Sequence, residues 1–336
     1  MPSQTDPIAA RQISLDTIRD AAAHVYEAAI RTPLVRFDPL PAHAGSHEAG
    51  SGLYLKLETL QPIGSFKIRG AYNAVRQLTP AQLAEGVWTV SAGNAAQGVA
   101  LAARKVGCPA SVMVMNTAPA TKLRAIERLG ATIVQAPYEE CWRTVERHGS
   151  ERMHGRFVHP FDDDHFISGN GTVGLEIAED LPDVDAVIAP IGGGGLIAGA
   201  AIALKALRPD IKIYAAEPVT AAPLARSLKA GTASEFPEWT ASFVDGAGGR
   251  SVLPTIWPLL RDHVDDSIVV SLEDVARAMA IVAERVHVIA EGAAACAVAA
   301  ALSPAIVSRG HRKVVAIVSG GNIDLARFAT LVGACS

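Results

Sequence analysis

Seven short runs rich in valine and isoleucine recur along the chain, and they constrain its fold more than any other feature. They are VWTVS, ASVMVM, ATIVQA, DAVIAPI, KIYAAE, SIVVS and KVVAIVS, spread from Val87 to Ser319. Continuous apolar runs of this length read as strands buried on both faces. Well-capped helical stretches separate them. Thr79-Pro80-Ala81-Gln82 predicts a capping box with proline in the first turn, and Gly86 follows as a stop. Ser271 to Asp274 repeats that logic ahead of VARAMAIVAERV, and ATKLRAIERLG ends at Gly130, where a left-handed cap is expected. Strands alternating with helices predict an α/β protein with parallel sheet. Ligands then sit beyond the carboxyl ends of the strands, in the loops that lead into helices.

Three such loops are rich in glycine: SAGNAAQG from Ser91, IGGGGLIAG from Ile191, and SGGNID from Ser319. Gly192 to Gly195 follow one strand run and open a helical one. Without Cβ atoms, their backbone can approach a ligand closely, and amides at a helix N-terminus suit a phosphate. In the first loop Ser91, Asn94 and the amides near Gly93 can receive a carboxylate or a ring oxygen. Ser319 ends a core strand with a hydroxyl.

Elsewhere, QPIGSFKIRGAYNAV places Lys67 among apolar neighbours at a turn flanked by Gly64 and Gly70. Burying an unpaired lysine is costly, so this amine is either solvated or prepared for chemistry. A lysine amine, a phosphate cradle, an Asn/Ser loop and a terminal serine together suit pyridoxal phosphate, whose aldehyde takes a lysine and whose phosphate takes amides. A competing reading rests on Gly193-x-Gly195-x-x-Ala198 with Glu217 after the next strand, a loose dinucleotide fingerprint. It would make the chain an NAD-dependent oxidoreductase, and it leaves Lys67 and two loops unexplained. A silent binding protein that kept the fold is the third reading.

Composition narrows the partners. The 336 residues carry a formal charge of −4 with no basic block, so no nucleic acid is expected. No apolar run is long enough to span a membrane, and MPSQTDPIAARQ lacks an apolar leader, so a cytoplasmic enzyme is expected. Cys108, Cys141, Cys296 and Cys335 are far apart and form neither a metal cluster nor a disulfide framework by spacing. Pro41–Gly52 and Gly231–Trp239 read as long surface loops.

With these residues in view, the chain resembles the fold-type-II pyridoxal-phosphate enzymes. GSFKIRGA, SAGNAAQGVA, GGGGL and SGGN occur in the family's order, and KLETLQPIGSFKIRGAYNAV is similar to the threonine dehydratase and serine racemase branch. HPFDD, GNGTVGLEI, AAEP and VDGAG fall where related segments are expected. The resemblance implies a tryptophan synthase β-like fold, with two open, twisted, mostly parallel sheets flanked by helices and the cofactor in the cleft between domains. It implies a large cofactor-binding domain at 1–85 plus 159–336, a small mobile domain at 86–158, and a homodimer or homotetramer.

Residue by residue, it implies that Lys67 bonds to the cofactor and is then freed as general base, while Phe66 packs on the pyridine ring. Asn94 bonds the ring oxygen, Gly192, Gly193, Gly194, Gly195 and Leu196 hold the phosphate, Ser319 faces the ring nitrogen, and Glu291 is a ring-side acid. Ser91, Gly93 and Asn94 hold the substrate carboxylate, and Gly246 lines the site. The implied activity is β-elimination of a β-hydroxy-α-amino acid to a 2-oxo acid and ammonia. An amino-acid racemase or hydroxyaspartate dehydratase of the same family is the alternative.

The chain departs from the family pattern in informative places. Ala95 stands where a histidine is usual, which opens space near the substrate. Ala92 stands where racemases place a serine, so racemase activity is not expected. Trp142 stands near a position where some relatives have arginine. Ala95 and Trp142 together predict a pocket for a bulky side chain, as in 3-phenylserine. Glu217 matches a metal-binding glutamate, but Val219 to Pro223 supply no second acid, so no metal is assigned and a monovalent or divalent cation stays open. With only a short stretch after SGGNID, a C-terminal regulatory domain of the biosynthetic threonine dehydratase kind is not expected, and a catabolic role is.

Overall fold

The computed structural model describes residues 11–37 and 52–334. Ten strands lie among them: β1 Leu34–Phe37, β2 Gly52–Leu57, β3 Val87–Val90, β4 Ala110–Met115, β5 Thr132–Ala136, β6 Arg156–Phe157, β7 Ala186–Pro190, β8 Lys212–Pro218, β9 Asp266–Val270 and β10 Lys313–Val318. One sheet has the order β1-β2-β10-β7-β8-β9, the other β5-β4-β3-β6. All pairings are parallel except β1 with β2. The seven apolar runs are β3, β4, β5, β7, β8, β9 and β10. The four strands of the smaller sheet all fall within residues 86–158.

The central strands β7, β8 and β10 are buried almost throughout, as their Val, Ile and Ala content requires. Helices cover both faces of the sheet. Between Asp164–Asp180 and Gly195–Leu207 the backbones nearly touch: a Cβ on Gly199 would lie 2.3 Å from the carbonyl of Ile167. Glycine and alanine in LIAGAAIALKAL make that approach sterically possible.

The N-terminal caps form as the sequence predicts. Thr79 and Gln82 exchange side-chain and backbone bonds around the helix Pro80–Glu85, and Gly86 ends it at φ +82°. Ser271 caps Leu272–Val286 by accepting from the Asp274 amide; the helix Ala120–Glu127 instead ends before Gly130, with Arg128 as its cap, and Gly130 turns the chain at φ +92° beyond it. Of the two expected surface loops, Pro41 to Ser51 lies outside the described residues, and Gly52 instead opens β2. No helix among the described residues is long and apolar enough to cross a membrane.

One expectation needs correcting. Only Gly64 of the two glycines near Lys67 is a turn residue, at φ +70°. Lys67 is the first residue of the helix Lys67–Arg76, and Gly70 lies inside it. A Cβ there would come within 2.5 Å of the Phe166 carbonyl, so Gly70 serves helix packing.

Strand order positions the site. β2, β10 and β7 are neighbours, and Leu57 pairs with Val318 at the carboxyl ends of β2 and β10. The loops leaving these three ends lead to Lys67, Ser319 and the glycine tetrad respectively. β3 delivers Ser91 from the second sheet.

Candidate active site

All three glycine-rich loops and Lys67 open onto one cleft of about 400 Å³, whose walls come from both sheets. The Phe66 amide donates to the Ser319 carbonyl at 3.0 Å, and Gly321 donates to Gly64 at 2.9 Å. These bonds hold the start of the Lys67 helix against the end of β10. Phe66 itself is buried on the cleft wall.

Lys67 is half-buried, and its Nζ donates to the Pro160 carbonyl at 2.5 Å. The rings of Phe66 and Phe166 each lie 5.2 Å from the amine. Burial pulls its pKa down to about 7, against the opposing charge of Glu291. An amine in this range is a usable nucleophile and proton acceptor near neutrality.

The tetrad is fixed by close contacts. A Cβ on Gly193 would lie 2.1 Å from the Phe161 ring, and one on Gly195 would lie 2.3 Å from the Phe161 carbonyl. Gly194 adopts φ +93° as N-cap of the helix Gly195–Leu207. Side chains are excluded from the loop, and the first-turn amides lack intrahelical partners. Gly192 to Leu196 line the cleft, with the Gly246 carbonyl set against Gly192. Such a loop can receive an anion at the positive end of a 13-residue helix.

Opposite stands Asn94, first residue of the helix Asn94–Val106. Its Nδ2 donates to Glu291 Oε1 at 2.7 Å, and its Oδ1 accepts from Asn322 Nδ2 at 2.7 Å. Glu291 is buried, and burial followed by the charge of Asp245 raises its pKa to about 8. Ser91 Oγ accepts from the Gly93 amide at 3.1 Å, which folds that loop onto the cleft. Ala95 is buried on the same wall.

The far wall is apolar. Along the helix Tyr138–Glu146, Tyr138, Cys141, Trp142 and Val145 all face the cleft at helical spacing, with Met113 and Met115 from β4 beside them. Trp142 Nε1 donates to Glu146 at 2.8 Å. The Arg250 guanidinium lies 4.8 Å from the Tyr138 ring and 4.1 Å from Trp239. Lys122 and Asp245 pair at 2.5 Å across the mouth.

The cleft thus gathers Phe66, Lys67, Ser91, Gly93, Asn94, Ala95, Trp142, Gly192 to Leu196, Gly246, Glu291 and Ser319. Glu217 is not among its lining residues. Its Oε1 accepts from the Leu224 amide, and its Oε2 from Ala225 and Ser267, so it caps the helix Pro223–Ala230 as a strand-end acid. Sequence reasoning missed Pro160, whose carbonyl holds the amine, because a backbone contact leaves no residue-type signal. It also gave Asn322 no role, although SGGN contains it. The spacing of Tyr138, Cys141, Trp142 and Val145 was a readable signal.

The residues fit the cofactor read from the sequence: a lysine amine with a depressed pKa shares the cleft with a glycine loop whose close contacts admit no side chains. The family described as pyridoxal-phosphate dependent enzyme matches residues 25–320. The L-threonine ammonia-lyase of Thermotoga maritima is 39% identical over 319 residues, covering 93% of this chain and 76% of the relative. The serine racemase of Homo sapiens is 40% identical over 289 residues, covering 84% of this chain and 85% of the relative. The maize serine racemase structure superposes with a TM-score of 0.85 at 36% identity, covering 95% of this chain and 96% of that one.

Proposed function

The chain belongs to the fold-type-II pyridoxal-phosphate-dependent enzymes, and from that premise we propose that it is an ammonia-lyase acting on β-hydroxy-α-amino acids with a bulky, aryl side chain. The β-elimination class is supported by relatives named for ammonia-lyase and dehydratase activity. The observation that carries the aryl preference is that Tyr138, Cys141, Trp142, Val145, Met113 and Met115 line the same cleft as Ala95. An aryl group gains both burial and ring contact there.

Lys67 would hold the cofactor, and its free Nζ is placed to take the proton from the substrate α-carbon. The amine's low pKa keeps much of it unprotonated near neutrality. Pro160 orients it by accepting from Nζ. When bound, the cofactor supplies a conjugated ring that delocalises the electron pair left at the α-carbon, which lets the β-hydroxyl leave. The amides of Gly192 to Leu196 would hold the phosphate, and Ser319 would offer its hydroxyl to the ring nitrogen. Asn94, bonded to Glu291, would bond the ring oxygen, and Ser91 with the Gly93 backbone would bind the substrate carboxylate. Water lost in the elimination is taken up again on hydrolysis, so the substrate equals a 2-oxo acid plus ammonia.

Serine racemases among the relatives favour racemisation as a second reading. Ala92 gives the loop no hydroxyl at the position where racemases place one, which argues against it.

Ammonia release from L-threonine, L-serine and L-threo-3-phenylserine by the cofactor-loaded enzyme tests the reading. Phenylserine turnover with the highest kcat/KM is expected. A wide preference for threonine would remove the aryl assignment. A visible cofactor band without ammonia from any of the three would remove the lyase.

A further inference from the structure

His159 lies between β6 and the Lys67 acceptor Pro160, and it is 2% exposed. Its Nδ1 accepts from the Asp162 amide at 2.8 Å and from the Phe161 amide at 3.3 Å. A ring nitrogen accepting N–H bonds carries no proton, so the proton sits on Nε2. Nε2 lies 3.1 Å from the Val145 carbonyl and donates to it. Burial, then the charge of His148, whose ring stacks on it at 4.3 Å, push the His159 pKa down to about 3. The other charged groups facing it are Asp162, which opposes that shift, and Lys67, which adds to it. Burial alone would raise the Asp162 pKa, but bonds from His148, Thr255 and Arg11 outweigh it and keep the group a carboxylate. Both the charge and the tautomer of the His159 ring are therefore constant across the working pH range.

The ring's two sets of partners belong to different halves of the site. The amides of Phe161 and Asp162 fix the turn whose Pro160 carbonyl holds Lys67 Nζ and whose Phe161 backs the glycine tetrad. Val145 belongs to the helix that presents Tyr138, Cys141 and Trp142 to the cleft. Phe161 also meets the His159 ring edge-on at 4.6 Å.

We propose that His159 is a positioning residue that locks the helix bearing the substrate-facing aromatic side chains to the turn that holds the Lys67 amine. One neutral ring then sets both side-chain recognition and amine placement. The inference rests on the functional reading only in taking Lys67 as the reactive amine; it does not depend on which amino acid is consumed.

The two nitrogens can be replaced separately. In His159→Asn the amide oxygen stands in for Nδ1, and in His159→Gln the amide nitrogen stands in for Nε2. Three readouts apply to the full chain: the pH midpoint of Lys67 labelling by an amine-reactive reagent in cofactor-free protein, the affinity for pyridoxal phosphate by absorbance titration, and kcat against KM. His159→Gln loses the acceptor for the turn. Its labelling midpoint moves up from that of the wild type as water reaches the amine, and cofactor affinity falls about tenfold, as for one lost buried hydrogen bond. His159→Asn keeps the wild-type midpoint and affinity but raises KM more than it lowers kcat.

Equal changes in melting temperature with no such division between the variants would reduce His159 to a packing residue and overturn the proposal. Loss of amino-acid turnover in the wild type would defeat the functional reading, yet labelling and affinity would still decide this one. A test that needs no variant is the ¹⁵N resonance pattern of His159 in the wild-type protein. A proton on Nε2 with no titration between about pH 5 and 9 is expected; a proton on Nδ1, or titration in that range, overturns the inference.

Discussion

Asn94 and Glu291 meet across the cleft, the amide Nδ2 donating to carboxyl Oε1 at 2.7 Å although 197 positions separate them in the chain. Each stands at the head of a helix, one behind β3 and the other ahead of β10. Glu291 is 6% exposed, and burial with the charge of Asp245 raises its pKa to about 8. Its unfolded value is about 4.3. Between these pH values the folded chain binds more protons than the unfolded one, so this group's contribution to stability declines as pH rises. Glu291→Gln keeps the shape and removes the titration. In cofactor-free protein, the melting temperature of the variant relative to wild type should climb from pH 5 to pH 8. A gap that stays flat across the range refutes the assignment.

Lys67 carries the opposite sign. Its folded pKa is about 7, and a free lysine titrates near 10.4. In that window the unfolded chain binds the extra proton, so the lysine's contribution to stability improves as pH rises. The same shift makes the amine selectively reactive. At about pH 8 in cofactor-free protein, Lys67 should be labelled well ahead of the surface lysines, with a midpoint near 7 by peptide mass spectrometry. A midpoint near that of the surface lysines contradicts this. Lys67→Ala should abolish the visible cofactor band and lower turnover by about 10³-fold or more, within the range of a lost general base.

Two residues beyond Lys67, Arg69 anchors the same helix from within the core. Its Nε and Nη2 each reach Glu58 at 2.8 Å, and its Nη1 reaches Glu176 at 2.6 Å. Lys56 Nζ pairs with Glu176 at 2.7 Å. All four side chains are fully or almost fully buried. Removing one partner leaves an uncompensated charge, so Arg69→Met should cost about 3–5 kcal/mol in urea unfolding. Adding Glu58→Leu should recover part of that loss, because it removes an orphaned carboxylate. A cost below about 1 kcal/mol would show that water or rearrangement satisfies Glu58.

The same cluster shows where sequence reading stopped. Strands β3, β4, β5 and β7 to β10 were legible because burial on both faces leaves an uninterrupted Val/Ile run. β2 was not, since GLYLKL carries Lys56, whose charge hides a fully buried position behind a polar letter. β6 is two residues long and has no pattern to read. The glycine loops and Lys67 were legible as chemistry because few other residue types could replace them there. Pro160 and His159 act through backbone carbonyls and amides, and only the folded chain brings those groups together.

Trp142 and Ala95 carry the substrate prediction. The bond from Trp142 Nε1 to Glu146, one turn on, orients the indole, and Ala95, 3% exposed, lines the same cleft. A methyl group at position 95 leaves cleft volume that an imidazole there would fill. Trp142→Ala should therefore raise KM for phenylserine by about tenfold or more, the scale of a lost aromatic contact plus its buried area, and change KM for threonine little. Ala95→His should lower kcat/KM for phenylserine and leave or improve that for threonine, because added volume in a packed pocket penalises the larger ligand first. The two variants act on one substrate ring, so their effects on phenylserine should be less than additive when combined. Equal losses for both substrates in both variants would mean that these residues support the fold of the cleft and do not select its ligand.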